Sequence, residues 1–189
     1  MKKLTFFALA LLLTTVSFAQ STWSMDKAHA KMTFTVTHLA ISEVDGVFKS
    51  FDAKMTSSKE DFSDATFELT ADMAQVTTNQ EMRDGHLKKP DMFDVEKFPT
   101  MTFKSTGISK VADKKFKLTG DLTMKGVTKS VTLDLALLGT AVNQRSKKPM
   151  AGFKVTGSVK RTDFGVGTMP SLVVSEDVEL RASGEFVQN

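Results

Sequence analysis

The chain has 189 residues, a formal net charge of +3 and no cysteine. The lack of cysteine excludes disulfides and thiolate metal ligands, and no dense basic face in the sequence indicates nucleic-acid binding. Phe and Met are abundant at 15 and 11 residues, whereas Tyr is absent and Trp occurs once. This composition predicts a strongly apolar interior, in which the flexible Met side chains suit either a variable cavity or a packed core.

The first 19 residues have the pattern of a secretory signal peptide. Two lysines precede a short apolar run, Leu4–Val16, and the small residues Ser17 and Ala19 occupy the cleavage positions. The run is too short to favour a membrane anchor. We therefore expect cleavage between Ala19 and Gln20, one mature domain over residues 20–189, and a periplasmic or secreted location. Loss of the two lysines brings the mature chain close to neutrality.

Period-two alternation recurs along nearly the whole mature chain and predicts strands with one apolar face and one face rich in Thr and Lys. The alternating segments are Lys31–His38, Phe48–Met55, Ala65–Met73, Met101–Ser105, Phe116–Met124, Val131–Leu137, Phe153–Val159 and Val178–Phe186. Lys125-Gly126 is predicted to form a two-residue hairpin turn, because Gly readily adopts the positive φ that such a turn needs.

About eight or nine strands with short connections predict an all-β fold. A continuous sheet of this size should close on itself or form two layers, and the short turns favour an up-and-down antiparallel barrel over a two-sheet sandwich. An outer-membrane barrel would show aromatic girdles that these strands lack. An eight-stranded barrel can be filled by its own side chains or hold one slender ligand. Small residues on predicted inward faces, Gly120, Gly157, Ala71 and Ala182, favour the cavity.

The segment Glu81–Pro99 breaks the strand pattern. Thr78 and Glu81 have the spacing of a capping box at a helix start. Two lysines at the predicted C-terminus suit the helix dipole, and Pro90 ends the helix. The sequence therefore predicts a short helix inserted near residues 79–89, which we expect to close or border the mouth of the barrel.

Polar side chains of this helix are the main candidates for ligand contacts. Arg83 and His86, together with Arg161, are expected to ring the barrel mouth and hold the polar head of an amphiphile. The planar fork of an arginine suits a phosphate. Arg161 and Asp163 lie on the same side of a predicted strand end, and a structural salt bridge between Asp163 and an arginine is the first interpretation of this motif; the position of Arg161 at the mouth is the second.

The sequence shows no metal site and no nucleophile. The three histidines, His29, His38 and His86, lack the spacing of a zinc site, and no nucleophile elbow occurs. We therefore predict no catalytic residue and no metal ligand. The alternative function is a lipid-modifying enzyme that uses the cluster of Arg83, Asp84 and His86, with His86, Asp84 or His38 as acid and base. A packed domain without a ligand is a third.

Seven short motifs, in order along the mature chain, resemble the YceI-like family of secreted bacterial proteins. The motifs are Trp23–His29, Phe34–Leu39, Val44–Phe48, Arg83–Leu87, Phe93 with Phe98-Pro99 and Thr102–Ser105, Gly120–Lys129, and Arg161–Gly165. Ala30 is a small departure, because the family often has Ser after this His.

The resemblance implies a lipocalin-like antiparallel barrel with a long apolar cavity. Family members are taken to bind polyisoprenoids, isoprenoid quinones or fatty-acyl derivatives, with the chain inside and the head near the opening. The resemblance thus implies a soluble exported lipid-binding protein for transport, storage or stress response, with the lipid as ligand and no further cofactor. A homodimer and transient membrane contact are also expected.

Alternation and resemblance together assign the site residues. The apolar cavity is expected to be lined by Phe34, Val36, Phe48, Phe67, Leu69, Phe103, Leu118, Leu122, Leu133, Leu135, Phe153 and Val155. The polar head is expected to contact His38, Arg83, His86 and Arg161.

Overall fold

The computed structural model describes residues 20–189, so the predicted signal peptide lies outside the described residues. Within them the elements are β1 Ser21–Met25, β2 Lys31–His38, β3 Ser42–Phe48, β4 Phe51–Ser57, β5 Thr66–Asp72, β6 Val76–Thr77, α1 Glu81–Leu87, β7 Thr100–Ala112, β8 Lys115–Met124, β9 Val127–Val142, β10 Pro149–Lys160 and β11 Asp177–Gln188. No helix in this part of the chain is long and apolar enough to span a membrane.

Eight strands close into an antiparallel barrel, which confirms the predicted fold class. Their order around the wall is β1, β4, β5, β7, β8, β9, β10 and β11, and β11 pairs back with β1. The hairpin between β8 and β9 turns at Lys125-Gly126 as predicted, since both residues have positive φ, 50° and 75°. Gly is suited to this conformation, and the register pairs Met124 with Val127 across the turn.

The barrel wall changes at one level, where three neighbouring strands are interrupted. β11 pairs first with β2 and then with β1, so β1 and β2 are two halves of one wall strand, separated by a 3₁₀ turn at Lys27–His29. β3 and β4 are separated at Lys49 and Ser50, and β5 and β6 by a 3₁₀ turn at Met73–Gln75. The prediction of one strand over Phe48–Met55 was therefore wrong.

The upper half of the barrel, defined as the half that contains β2, β3 and β6, is open between β6 and β7. β6 has two residues and pairs with β3, whereas β7 pairs with β5 further down. Helix α1 and the turns that follow it, up to Pro99, occupy this gap. The predicted helix thus lies at the mouth and replaces part of the barrel wall.

Helix α1 begins differently from the prediction. Its N-cap is Gln80, whose side-chain oxygen accepts a hydrogen bond from the Arg83 N–H at 2.5 Å. The predicted capping box of Thr78 and Glu81 was wrong, because the hydroxyl and the N–H of Thr78 both donate to Asp84 at 2.6 Å.

Asp84 therefore anchors the helix to the barrel. Its carboxylate also accepts a hydrogen bond from the Thr77 hydroxyl at 2.5 Å. Burial raises the pKa of Asp84, but the hydrogen bonds from Thr77 and Thr78 outweigh it, and with the nearby Arg83 they hold the pKa below its usual value. The ionised carboxylate is thus the form that fixes α1 to β6.

The lower half of the barrel is filled by aromatic side chains. Phe153 lies at the centre of the cluster, with ring centroids 5.3 Å from Phe62, 5.4 Å from Phe67 and 6.0 Å from Phe186. Trp23 packs on the other side of Phe62 at 5.5 Å. The steep interplanar angles are typical of favourable edge-to-face contacts between aromatic rings.

A turn between β4 and β5 closes this lower end. The Asp64 carboxylate accepts hydrogen bonds from the Ser57 hydroxyl at 2.6 Å and from the Ser58 N–H at 2.9 Å. Burial raises the pKa of Asp64, but these hydrogen bonds dominate and lower it. This fixed turn directs the side chain of Phe62, which is 4% exposed, into the barrel.

Two of the four small inward residues, Gly120 and Gly157, do not create free space, contrary to the expectation from the sequence. A Cβ atom at Gly120 would lie 2.4 Å from the Phe103 ring, and one at Gly157 would lie 2.5 Å from the Leu133 side chain. Large neighbours therefore already occupy these positions. The cavity arises instead from the interrupted strands of the upper half.

Candidate functional site

An apolar cavity of about 690 Å³ occupies the upper half of the barrel. β2 and β3 supply one wall, and α1 with the following turns supplies the opposite one. Strands β7, β8, β10 and β11 complete it. This volume lies within the usual range for small-molecule sites, about 300–1,000 Å³.

A second, smaller space of about 130 Å³ lies below the first. The two share four lining side chains, Phe48, Met101, Leu122 and Leu180, which we call the waist. The two spaces therefore adjoin at the waist, inside the same barrel.

The predicted apolar residues divide between the two spaces, with one exception. The larger space is lined by Phe34, Val36, Phe48 and Leu122. The smaller space is lined by Phe48, Phe67, Leu69, Phe103, Leu118, Leu122, Leu133, Phe153 and Val155. Leu135 lines neither, because it pairs with Phe116 and Val155 on the neighbouring strands and is buried in the filled lower half, 2% exposed.

One face of helix α1 forms part of the cavity wall. Met82, Arg83, His86 and Leu87 line the cavity, as the spacing of about four residues per turn allows. The buried Phe93 follows from the next turn. The exposed members of the lining are Gln80, Met82 and Arg83, so the cavity opens beside the start of α1.

Sequence reasoning missed a group of methionines in the larger space. Its members are Met82, Met92, Met101, Met124 and Met169. The one sequence signal was the high Met content, because these residues come from five separate segments. Unbranched, polarizable side chains let the wall adjust to ligands of different shape.

Arg161 is a buried cation held by backbone carbonyl groups. Its Nε donates to Ser175, its Nη1 to Val166 and Gly167, and its Nη2 to Met169 and Val174, at 2.6–3.1 Å. All five N–H groups of the guanidinium are thus used.

This geometry corrects two predictions about Arg161. Within the described residues no carboxylate lies within 4 Å of it, so the salt bridge with Asp163 does not form. Its fork is also not free for a phosphate. Arg161 instead fastens the loop 165–175 across the mouth, and its charge contributes to the electrostatic potential there.

The other polar residues at the mouth differ in what they can still bind. Arg83 donates from Nε to the Thr78 hydroxyl at 2.7 Å and from Nη2 to the Thr78 carbonyl at 3.2 Å. In the chain from residue 20 onwards, Arg83 Nη1 and the ring of His38 make no hydrogen bond to protein. These two groups are therefore available to a ligand at the opening.

His86 is paired with an aspartate. Its Nε2 lies 2.8 Å from Asp91 Oδ2, and this hydrogen bond lowers the pKa of Asp91. Asp84 bonds Thr77 and Thr78 instead. The structure thus does not join Asp84 and His86 into an acid–base pair.

One group of the described residues could share a metal ion, and it lies on the outer surface. Single ligand atoms of Asp26, His29 and Glu185 all lie within 4.8 Å of one another. His29 Nδ1 is 2.9 Å from Asp26 Oδ2, and this hydrogen bond raises the pKa of His29 and lowers that of Asp26. The group joins the junction of β1 and β2 to β11, and it does not line the cavity.

A closed eight-stranded antiparallel barrel with an apolar cavity at one end defines a lipocalin-like β-barrel protein. Residues 23–186 match the family model described as the YceI-like domain. The chain belongs to this family, which confirms the resemblance seen in the sequence. It is 38% identical over 190 residues to Protein YceI of Salmonella newport, with 99% of this chain and 98% of that protein covered.

Solved structures show the same fold. The YceI protein of Campylobacter jejuni is 28% identical with a TM-score of 0.71, over 98% of this chain and 99% of that one. BcnA of Burkholderia cenocepacia is 24% identical with a TM-score of 0.76, over 85% and 98%. A polyisoprenoid binding domain from Saccharophagus degradans is 16% identical with a TM-score of 0.64, over 88% and 98%. The last two show likeness of fold alone.

Proposed function

We propose that the protein is an exported lipid carrier that holds an isoprenoid, isoprenoid quinone or fatty-acyl amphiphile. The observation that carries the proposal is the pair of adjoining apolar spaces with polar side chains gathered at one opening. The description of the Saccharophagus degradans neighbour as a polyisoprenoid binding domain supports the ligand class.

Transfer of the apolar chain out of water is the driving force. Each buried methylene contributes about 0.8 kcal/mol. The affinity is therefore dominated by the chain, and the head contributes orientation and modest selectivity. The methionines of the larger space adapt the wall to chains of different shape.

The head lies at the opening beside α1. Arg83 Nη1 and the His38 ring are the groups that contact it, because both line the cavity and neither is satisfied by the described protein groups. Arg161 acts on the head through its positive charge, and His86 acts on it through the hydrogen-bonded pair with Asp91. A head with a carbonyl, carboxylate or phosphate oxygen matches these donors.

Export and assembly complete the proposal. Removal of residues 1–19 delivers the protein to the periplasm or the medium, where it transports or stores its lipid or protects it under stress. Transient membrane contact supplies and removes the ligand. A homodimer remains a prediction, which sedimentation at several protein concentrations tests.

The direct test is mass spectrometry of the mature protein purified from its native export compartment. Under native conditions we expect a stoichiometric adduct, which solvent extraction releases as one isoprenoid or acyl lipid. A mass without adduct, together with no uptake of added isoprenoid or acyl lipids, would contradict the proposal.

Variants separate the roles of chain and head. Leu133→Asp and Phe103→Asp are expected to abolish lipid uptake, whereas Arg83→Ala only weakens it. Val111→Asp, on an exposed strand residue far from the cavity, is the matched control. Because a buried carboxylate can prevent folding, Val178→Trp fills the larger space without adding a charge. Equal uptake by all folded variants would refute the assignment.

A further inference from the structure

Exposed large hydrophobic side chains in the described part of the chain fall into two groups. One group, which we call the mouth rim, consists of Leu39, Ile41, Met82 and Leu172. The other lies on the long hairpins at the opposite end of the barrel and consists of Val111, Leu138 and Val142. Within the mouth rim, Ile41, Met82 and Leu172 are 83%, 80% and 82% exposed.

The backbone holds the mouth rim outward. Leu39 and Ala40 in the turn between β2 and β3 have φ values of 51° and 57°, a left-handed conformation that is uncommon for such residues. The Leu39 N–H donates to the Val173 carbonyl at 3.0 Å, which joins this turn to the loop that carries Leu172. The apolar tips are thus part of one braced structure around the opening.

Two of the three segments that carry these tips contain no charged side chain, whereas Met82 on α1 lies between Glu81 and Arg83. The sequence has no charged residue from Leu39 to Ser42 and none between Asp163 and Glu176, in a chain with 25% charged residues. Entry of the tips on these two loops into an apolar phase would therefore not remove a charge from water, which is the most costly part of such a transfer.

The opposite group has different surroundings. Val111 is flanked by Lys110 and precedes Asp113 and Lys114, and the turn after Val142 carries Arg145 and two lysines. Leu138 and Val142 lie in the uncharged run 135–144, but the three side chains of this group are only 53–60% exposed, which is ordinary for a protein surface. The three most exposed large hydrophobic side chains of the described residues thus all belong to the mouth rim.

We propose that the mouth rim is a docking surface for a lipid bilayer, into whose headgroup region the apolar tips insert while the ligand passes between membrane and cavity. The inference rests on the proposed lipid-carrier function. Met82 belongs to both the rim and the cavity lining, so the apolar surface is continuous from the rim into the cavity.

A bilayer fits this surface better than a protein partner does. A lipid chain that leaves the cavity for water loses about 0.8 kcal/mol of transfer free energy per exposed methylene. An apolar phase must therefore meet the opening directly. Four tips on three short segments supply far less than the roughly 800 Å² per partner of a stable protein interface. The lack of excess charge in these loops predicts docking to zwitterionic lipid without a need for anionic lipid.

The test uses vesicles of phosphatidylcholine and the mature protein. The rim variant is L39S/I41S/L172S, which changes no cavity-lining residue, and the matched control is V111S/L138S/V142S. We expect the rim variant to partition onto the vesicles about a hundredfold more weakly, because three large aliphatic side chains no longer insert. The control should stay within about twofold of the wild type. Co-sedimentation of ligand-free protein with the vesicles measures this partitioning without any lipid in the cavity.

A second readout follows a fluorescent acyl probe from loaded protein to the same vesicles. The wild-type transfer rate should rise with vesicle concentration and fall at least tenfold in the rim variant, with probe affinity unchanged. Transfer independent of vesicle concentration, or equal partitioning of all three proteins, would overturn the inference. A protein that fails to bind the probe but still partitions onto the vesicles would instead contradict the carrier function alone.

Discussion

The two ends of the barrel share the same alternating strands but have opposite interiors. At the lower end the wall is continuous, and five aromatic rings fill it. At the upper end three neighbouring strands are interrupted at one level, and a helix replaces the missing wall. The difference shows that the larger cavity depends on breaks in the strands and not on the two inward glycines, since Phe103 and Leu133 cover Gly120 and Gly157.

Each end is fastened by its own polar group. Asp64 holds the closing turn of the lower end, and Asp84 with Arg161 holds the mouth. The mouth is thus braced around an empty volume, whereas the lower end is stabilised by packing. Substitutions should therefore have large effects on stability at the lower end and on binding at the upper end.

The largest expected effect on stability is at the centre of the aromatic cluster. Phe153→Ala should lower the free energy of unfolding by about 3–5 kcal/mol, because a buried ring is lost and a void remains. Val36→Ala, in the half-buried wall of the cavity, should cost only about 1 kcal/mol, since space already exists beside it. Chemical denaturation of both variants measures the contrast, and equal losses would show that the upper end is packed as tightly as the lower.

Arg161→Lys should have the next largest effect on stability. Lysine has three donors where the arginine uses five, so at least two carbonyls of the loop 165–175 lose their partners at roughly 1–3 kcal/mol for each buried group. We expect a lower free energy of unfolding and faster hydrogen exchange of the Val166 and Gly167 amides. Unchanged exchange in this loop would contradict its role as a brace.

Asp84→Asn should have a smaller effect that depends on pH. The folded protein holds the Asp84 pKa below 3.8, so its contribution to stability is complete above that value and disappears as pH falls through the lowered pKa. The variant should lose roughly 2 kcal/mol at neutral pH and lack this acid dependence. Unfolding measured between neutral and strongly acidic pH checks both, and parallel pH profiles of wild type and variant would refute the assignment.

The smallest effect on stability is expected at the waist. Leu180→Trp adds bulk at a half-buried side chain where the two spaces meet, so stability should change little. Uptake of long acyl chains should weaken while that of short chains stays the same, because the smaller space is closed off. A uniform loss for all chain lengths would show that the two spaces do not act in series.

Much of the fold could be predicted from the sequence, because alternation reports the inward face of each strand. The barrel, the Lys125-Gly126 turn and the position of the helix follow from local patterns. The spacing of three between Phe48 and Phe51 departs from the alternation at Lys49 and Ser50, but it does not distinguish a bulge within one strand from a change of pairing partners. Strand interruption depends on neighbours distant in the sequence.

The site was predicted in part for the same reason. Side chains such as Phe34 and Leu122 lie on inward faces that alternation identifies. The hydrogen bonds of Arg161 to carbonyls 5 to 14 residues further along the chain depend on how that loop crosses the mouth. The methionines of the cavity likewise come from segments that meet only in the folded barrel, and Leu135 was misplaced because alternation does not give depth along the barrel.

The central claim is that the two adjoining spaces hold an apolar chain, and a chain-length series tests it most directly. Titration of the delipidated mature protein with fatty acids or prenols of increasing length should show affinity that rises by up to about 0.8 kcal/mol per methylene and then levels off. In Leu180→Trp the plateau should come at a shorter chain. Affinity that does not depend on chain length would contradict the account.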